Sequence, residues 1–203
     1  MIPKVSVSTQ ELPNALDVSS ILQQVPSRKH ESVTALLGAW SELLYHDLVS
    51  TANFKNHQCC KGDAITHGEC YRLQKDNRCW EYMRSLPAVE LDSCEYQYRN
   101  QINLASSFLE GSAIYGVTRD SVEKLRTYDA GLVNISACST CQLNVLHSAI
   151  LREHNRVAVA LAALNRHWTD EVLFYESKRI VSAEIQHITY NEFLPILLGQ
   201  EKR

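Results

Sequence analysis

Apolar residues recur at helical spacing over three long stretches, and that pattern leaves little room for anything but a helical fold. Val33, Leu36, Leu37, Trp40, Leu43, Leu44 and Leu48 lie mostly three or four residues apart, the period that lines one face of an α-helix. This helix runs from Val33 to about Ser50. Two more are expected. One, from Val145 to Asn165, is marked by Leu146, Ala149, Ile150, Val157, Leu161 and Leu164; the other, from Asp170 to Leu198, by Leu173, Ile180, Val181, Ile185 and Ile188. With 45% hydrophobic residues in 203, the chain can bury these stripes in a sizeable core. The fold class expected is mainly α.

Between the first helix and the other two the chain changes character. Five of its seven cysteines, Cys59, Cys60, Cys70, Cys79 and Cys94, fall within a polar, turn-rich stretch of 36 residues, where disulfides hold loops too poor in core to hold themselves. That implies an oxidising compartment, and Asn134-Ile135-Ser136 is a glycosylation acceptor pattern that agrees with it. The start, MIPKVSVSTQELPN, lacks the apolar core of a secretory signal, so an extracellular protein with its leader upstream of this chain is expected. Cys138-x-x-Cys141 reads as a disulfide or two thiols rather than a zinc half-site with His147. A net charge of -3 excludes nucleic acid as a natural partner, and no apolar run is long enough to span a bilayer. No repeat or mobile linker is evident, so one domain is expected over 1–203. An irregular arm occupies 1–32, and cysteine-rich loops occupy 51–98 with a helical turn in CWEYMRSLP that ends at Pro87.

The helix over 33–50 carries the candidate chemistry. Asp47 falls on the same stripe as Trp40 and Leu43 or Leu44, so it points inward, where an unpaired carboxylate is costly and needs a cation or a strong donor. His46, about 100 degrees around the helix, follows Glu42 by four residues, which places an imidazole and a carboxylate on one face. A histidine so placed can move protons near neutral pH. On spacing alone, a surface histidine and a salt-bridged aspartate explain the same pattern. Further on, Ser106, Phe108, Glu110 and Ser112 alternate, so an extended loop would turn two hydroxyls, a carboxylate and intervening carbonyls to one side, a set of hard oxygens that suits calcium; a solvated strand face would show the same alternation.

The string Trp40-Ser41-Glu42-Leu43-Leu44-Tyr45-His46-Asp47 resembles the W-G-Q-x-x-D-H-D signature of animal haem peroxidases. IPKVS, Cys59-Cys60, HGEC, RCWEYMRSLPA, RNQINLASSFLEGSAIYG, LREHNRVAVALAALN and ITYNEFLPILLG follow in the family's order. The resemblance covers nearly the whole chain. It implies a partial peroxidase-like helical domain with disulfide-rich loops, haem as cofactor, and hydrogen peroxide with a small electron donor as reactants. His46 then matches the distal histidine that passes a proton between the peroxide oxygens. Glu42 stands for the pocket glutamine, and its charge would favour a protonated His46, which is no base. Tyr45 stands for the aspartate that forms a haem ester and cannot make that bond. Residues 99–116 hold the loop that in the family reads T-x-F-x-D-x-S and binds calcium together with the aspartate after the distal histidine. The resemblance therefore gives the metal to Asp47, Ser106, Phe108, Glu110 and Ser112, weakened because Glu110 is one methylene longer than aspartate.

Two losses are expected against the family pattern. The arginine and glutamate that precede the L-R-E-H-N-R helix have no counterpart, because NISACSTCQLNVLHSAI, the segment before Arg152, contains no arginine and no acid, as if a block were deleted between Val133 and Cys141. The proximal histidine lies, in the family, well beyond L-P-x-L-L-G, and this chain stops four residues past Gly199; His154, His167 and His187 do not fall at its place. The expectation is a peroxide-dependent oxidoreductase, impaired as this chain, with a longer parent or a partner chain completing the domain. The alternatives are a non-catalytic secreted module that keeps the framework and its calcium loop for adhesion or assembly, and a truncated product with no stable fold.

Overall fold

The computed structural model of the chain describes residues 13–24, 30–53, 59–61, 69–75, 77–88, 100–135 and 144–199. The described residues group into two compact units, Met1–Glu31 with Thr51–Asn103, and Ser32–Ser50 with Leu104–Arg203. Residues 1–12, Cys94, Cys138, Cys141 and Ser136 lie outside the described residues.

The first unit contains a helix where the sequence suggests an irregular arm. Helix α1, Ala15–Gln23, starts where the Asn14 side chain accepts from the Leu16 amide, which satisfies one of the donors orphaned at a helix start. It buries none of its residues, so apolar periodicity gave no sign of it. The helical turn expected in CWEYMRSLP is instead strand. β1 (Cys70–Lys75) and β2 (Arg78–Met83) form an antiparallel pair in which Tyr71 faces Tyr82 and Leu73 faces Trp80. Aromatic residues at alternate positions favour a pleated surface, and Asn77 at φ 58° supplies the left-handed residue that a tight connection needs. Two disulfides fix the hairpin, Cys59–Cys70 and Cys60–Cys79, one to each strand. Beyond it, Leu86–Ala88 runs antiparallel to Asn100–Ile102, and Ala52 bonds to both Leu86 and Ile102.

The second unit is the helical one. Helix α2, Ala35–Leu48, buries Trp40, Leu43 and Asp47 on one face, the spacing the sequence indicates. It ends at Val49, whose extended backbone still donates its amide to Tyr45. After the short α3 (Ser112–Tyr115) and α4 (Arg119–Leu125), α5 (Asn144–Leu164) and α6 (Asp170–Ile188) pack along each other, within a residue of their expected starts. The helix expected to reach Leu198 is broken. A π-turn, Thr189–Phe193, precedes α7, Leu194–Leu198, because Pro195 brings no amide N–H to continue the ladder. The core joins Trp40 and Leu43 to Ile114, Tyr115, Leu151, Phe174, Val181 and Ile185. Leu36 and Leu164, expected within the stripes, are 58% and 81% exposed. No helix among the described residues is long and apolar enough to cross a membrane.

Candidate functional site

Asp47 is the anchor of the site. Its side chain is 2% exposed, inward as its place on the stripe requires, and it takes the strong-donor solution to burial. Oδ1 accepts from the Ala113 amide at 2.8 Å, and Oδ2 accepts from the amides of Glu110 and Gly111, each at 3.2 Å. The Ser112 hydroxyl returns a bond to the Asp47 carbonyl at 2.6 Å. Gly111 makes this turn possible, since its φ of 78° lies in the left-handed region that glycine favours. The chain thereby closes a junction between the C-terminal turn of α2 and the start of α3.

Pinning Asp47 inward turns its neighbours outward. His46 is exposed in the last turn of α2, its ring in a T-shaped contact with that of Tyr45 at a centroid separation of 5.5 Å. Tyr45 is 57% exposed, and Glu42 is half-buried. No hydrogen bond or ion pair joins Glu42 to His46 among the described residues, so their helical spacing does not become a contact. An apolar cleft of about 270 Å³ lies toward the other end of α2, lined by Val33, Leu36, Leu37, Trp40, Phe193 and Ile196. His46 does not line it.

The loop residues expected to gather around Asp47 do so only in part. Ser112 is buried beside it, and Glu110 reaches it through its amide. The Glu110 side chain is exposed, Phe108 is 76% exposed, and the Ser106 hydroxyl accepts from the Phe108 amide. The Glu110 carbonyl accepts from the Ser182 hydroxyl at 2.7 Å. Calcium takes roughly 6–8 oxygens at about 2.3–2.6 Å; here three of the about four acceptor positions of the Asp47 carboxylate already hold N–H groups. That arrangement does not fit a calcium site centred on Asp47.

A second buried assembly centres on His154, which the sequence marks as a packed or hydrogen-bonded histidine of the R-E-H-N-R helix without naming its partners. His154 is fully buried on α5, with Nε2 2.9 Å from the Gly131 carbonyl and Nδ1 2.9 Å from the Tyr115 hydroxyl. A carbonyl can only accept, so Nε2 carries the proton and Tyr115 donates to Nδ1. Burial raises the Tyr115 pKa far above the ordinary phenol value and lowers that of His154. Gly131 in turn donates to Asp170 at 2.6 Å, and Asp170 and Glu171 hold Arg126, whose guanidinium lies over the rings of Phe174 and Tyr128. The signal for the burial of His154 is its place on a stripe with Leu151 and Val157; its partners Tyr115 and Gly131 lie too far off in sequence to be read. His147, half-buried, sets Nε2 3.2 Å from the Ala113 carbonyl, and burial lowers its pKa. His187 shares contacts with Asn191. His147, His154 and His187 each contact protein groups, and an iron-bound haem needs an axial ligand. His154, with both ring nitrogens already hydrogen-bonded, does not fit that role.

The sequence model of the animal haem peroxidases matches residues 2–141 and 136–203. The chain belongs to the animal haem peroxidase family. It is 28% identical over 250 aligned positions to chorion peroxidase of Aedes aegypti, which covers 97% of this chain and 32% of that protein. It is 27% identical to mouse (Mus musculus) myeloperoxidase, over 97% of this chain and 35% of the relative. The fold is similar to that of peroxidase A from Dictyostelium discoideum, with a TM-score of 0.66 and 21% identity over 85% of this chain and 42% of the other. The chain thus spans about a third of the length of these curated relatives. The 250 positions aligned with chorion peroxidase outnumber the 203 residues present, so the relative carries residues this family member lacks. The two matched stretches meet at 136–141, where the sequence places the missing block.

Proposed function

We propose that this chain is a haem peroxidase-like protein whose hydrogen-peroxide-dependent oxidation of small donors is strongly impaired. The observation that carries the reading is the sequence between Val133 and Arg152, where the family's arginine has no counterpart, set against a His46 that keeps its place on an anchored α2. His46 supplies half of the peroxide chemistry, taking a proton from one oxygen and returning it to the other so that water can leave. Cleaving the O–O bond also develops negative charge, which a preorganised cation would stabilise. The segment NISACSTCQLNVLHSAI before Arg152 contains no arginine to meet that need. Haem, which the family suggests, would when bound carry to the donor the oxidising equivalents that hydrogen peroxide supplies. Tyr45 in place of the esterifying aspartate leaves it untethered there. The two disulfides support secretion.

A second reading, a non-catalytic secreted module that keeps the peroxidase framework, draws support from the fully hydrogen-bonded Asp47 junction, which holds the fold without any reaction. Haem titration separates the two. The impaired enzyme gives a Soret band with saturable 1:1 binding and donor oxidation within about tenfold of free haem. The module gives a cooperative thermal transition and no Soret change. Donor oxidation a hundredfold or more above free haem would refute impairment.

A further inference from the structure

We infer that this chain holds the α2–α3 junction through backbone amides and without calcium. Three N–H groups of the turn after Leu109 converge on one buried carboxylate, two on Oδ2 and one on Oδ1. N–H hydrogens occupy directions from which a cation would approach, and their positive ends already supply what an inward carboxylate requires. Three other oxygens of the loop are engaged in hydrogen bonds. The Ser106 hydroxyl holds the Phe108 amide, the Glu110 carbonyl holds Ser182, and the Ser112 hydroxyl spends its hydrogen on the Asp47 carbonyl. The one other carboxylate in the loop, Glu110, is exposed, and no cluster of three or more histidine, cysteine or acidic side chains occurs among the described residues. The turn is also braced from behind. Gln186 donates to the Leu109 carbonyl at 2.7 Å, and His147 contacts the Ala113 carbonyl. Both ends of the Leu109–Ala113 segment are therefore fixed by side chains of α5 and α6. This conclusion stands whether or not His46 acts on peroxide.

The test is thermal unfolding of the whole chain in millimolar calcium and in excess EGTA, with the variants Glu110→Gln and Asp47→Asn. The metal-free junction predicts transitions that agree within about 1 °C in the two buffers. It predicts no change in Glu110→Gln, and a drop of roughly 3–8 °C in Asp47→Asn that is equal in both buffers, since an amide oxygen accepts less strongly and its NH2 faces the turn's own donors. A calcium site would raise the transition by several degrees through mass action, and Glu110→Gln would abolish that rise. That result would overturn the inference.

Discussion

Replacing Tyr115 by Phe removes one hydroxyl and leaves the Nδ1 of a fully buried His154 without its donor. We expect a loss of about 1–3 kcal/mol in urea unfolding, with little change in the rest of the core. The same histidine sets a pH dependence. Burial holds the pKa of His154 and of His147 below the ordinary 6.5, so below that pH the unfolded chain binds more protons than the folded one. Their contribution is complete above pH 6.5 and is lost as the pH falls toward their depressed values. Urea unfolding between pH 7.5 and 5 should show stability falling, with a shallower slope in His154→Gln. At Gly131, a Cβ would lie 2.6 Å from the Phe174 amide nitrogen at a φ of 72°. Gly131→Ala is therefore expected to cost about 2–4 kcal/mol by the same measurement. Asp47 shows how far single residues are legible: its place on an apolar stripe gave its burial and its need for a partner, but not which partner. Amide donors have no side-chain signature, and only the glycine at 111 hints at the turn that aims them.

At the scale of elements, the two longest helices were readable because each buries a stripe, Leu151, His154, Val157 and Ala158 on α5, and Leu173, Phe174, Ser177, Val181 and Ile185 on α6. The β-hairpin was not. Its strands are short, and its residues are half-buried or exposed where burial is described, so the alternation of Tyr71 with Leu73 and of Trp80 with Tyr82 marks no buried face, and the final proline drew the reading toward a helix end. What holds the hairpin is covalent, with loops of 11 and 19 residues closed by Cys59–Cys70 and Cys60–Cys79. Closing such loops stabilises a fold by about 2–4 kcal/mol each where no core competes. Reduction with dithiothreitol should expose the Cys60–Arg78 region to proteolysis, followed by mass spectrometry of the fragments, while α5 and α6 stay protected. Equal cleavage throughout would contradict the division into two units.

Across the whole molecule, family membership was legible because ordered strings over nearly all of the chain matched, and the helical core that packs α2 against α3 follows from the same residues. Alignment over 250 positions with chorion peroxidase shows that this relative carries residues the 203-residue chain lacks, and the proposed reading places the family's arginine among them. Less could be read of how His46 is presented. Its helix position predicted a contact with Glu42, whereas the exposed ring makes a T-shaped contact with Tyr45, and a surface ion pair gains little from approaching. A chain with the histidine in place and the arginine gone should react with peroxide slowly, and the histidine should matter little. Stopped-flow measurement of hydrogen peroxide consumption by the haem-supplemented chain, wild type against His46→Ala, tests this most directly. The account predicts rates within about tenfold of free haem and of each other. A wild-type rate a hundredfold or more above free haem, lost in His46→Ala, would contradict it, since positioned acid–base catalysis is worth about 10²–10⁴.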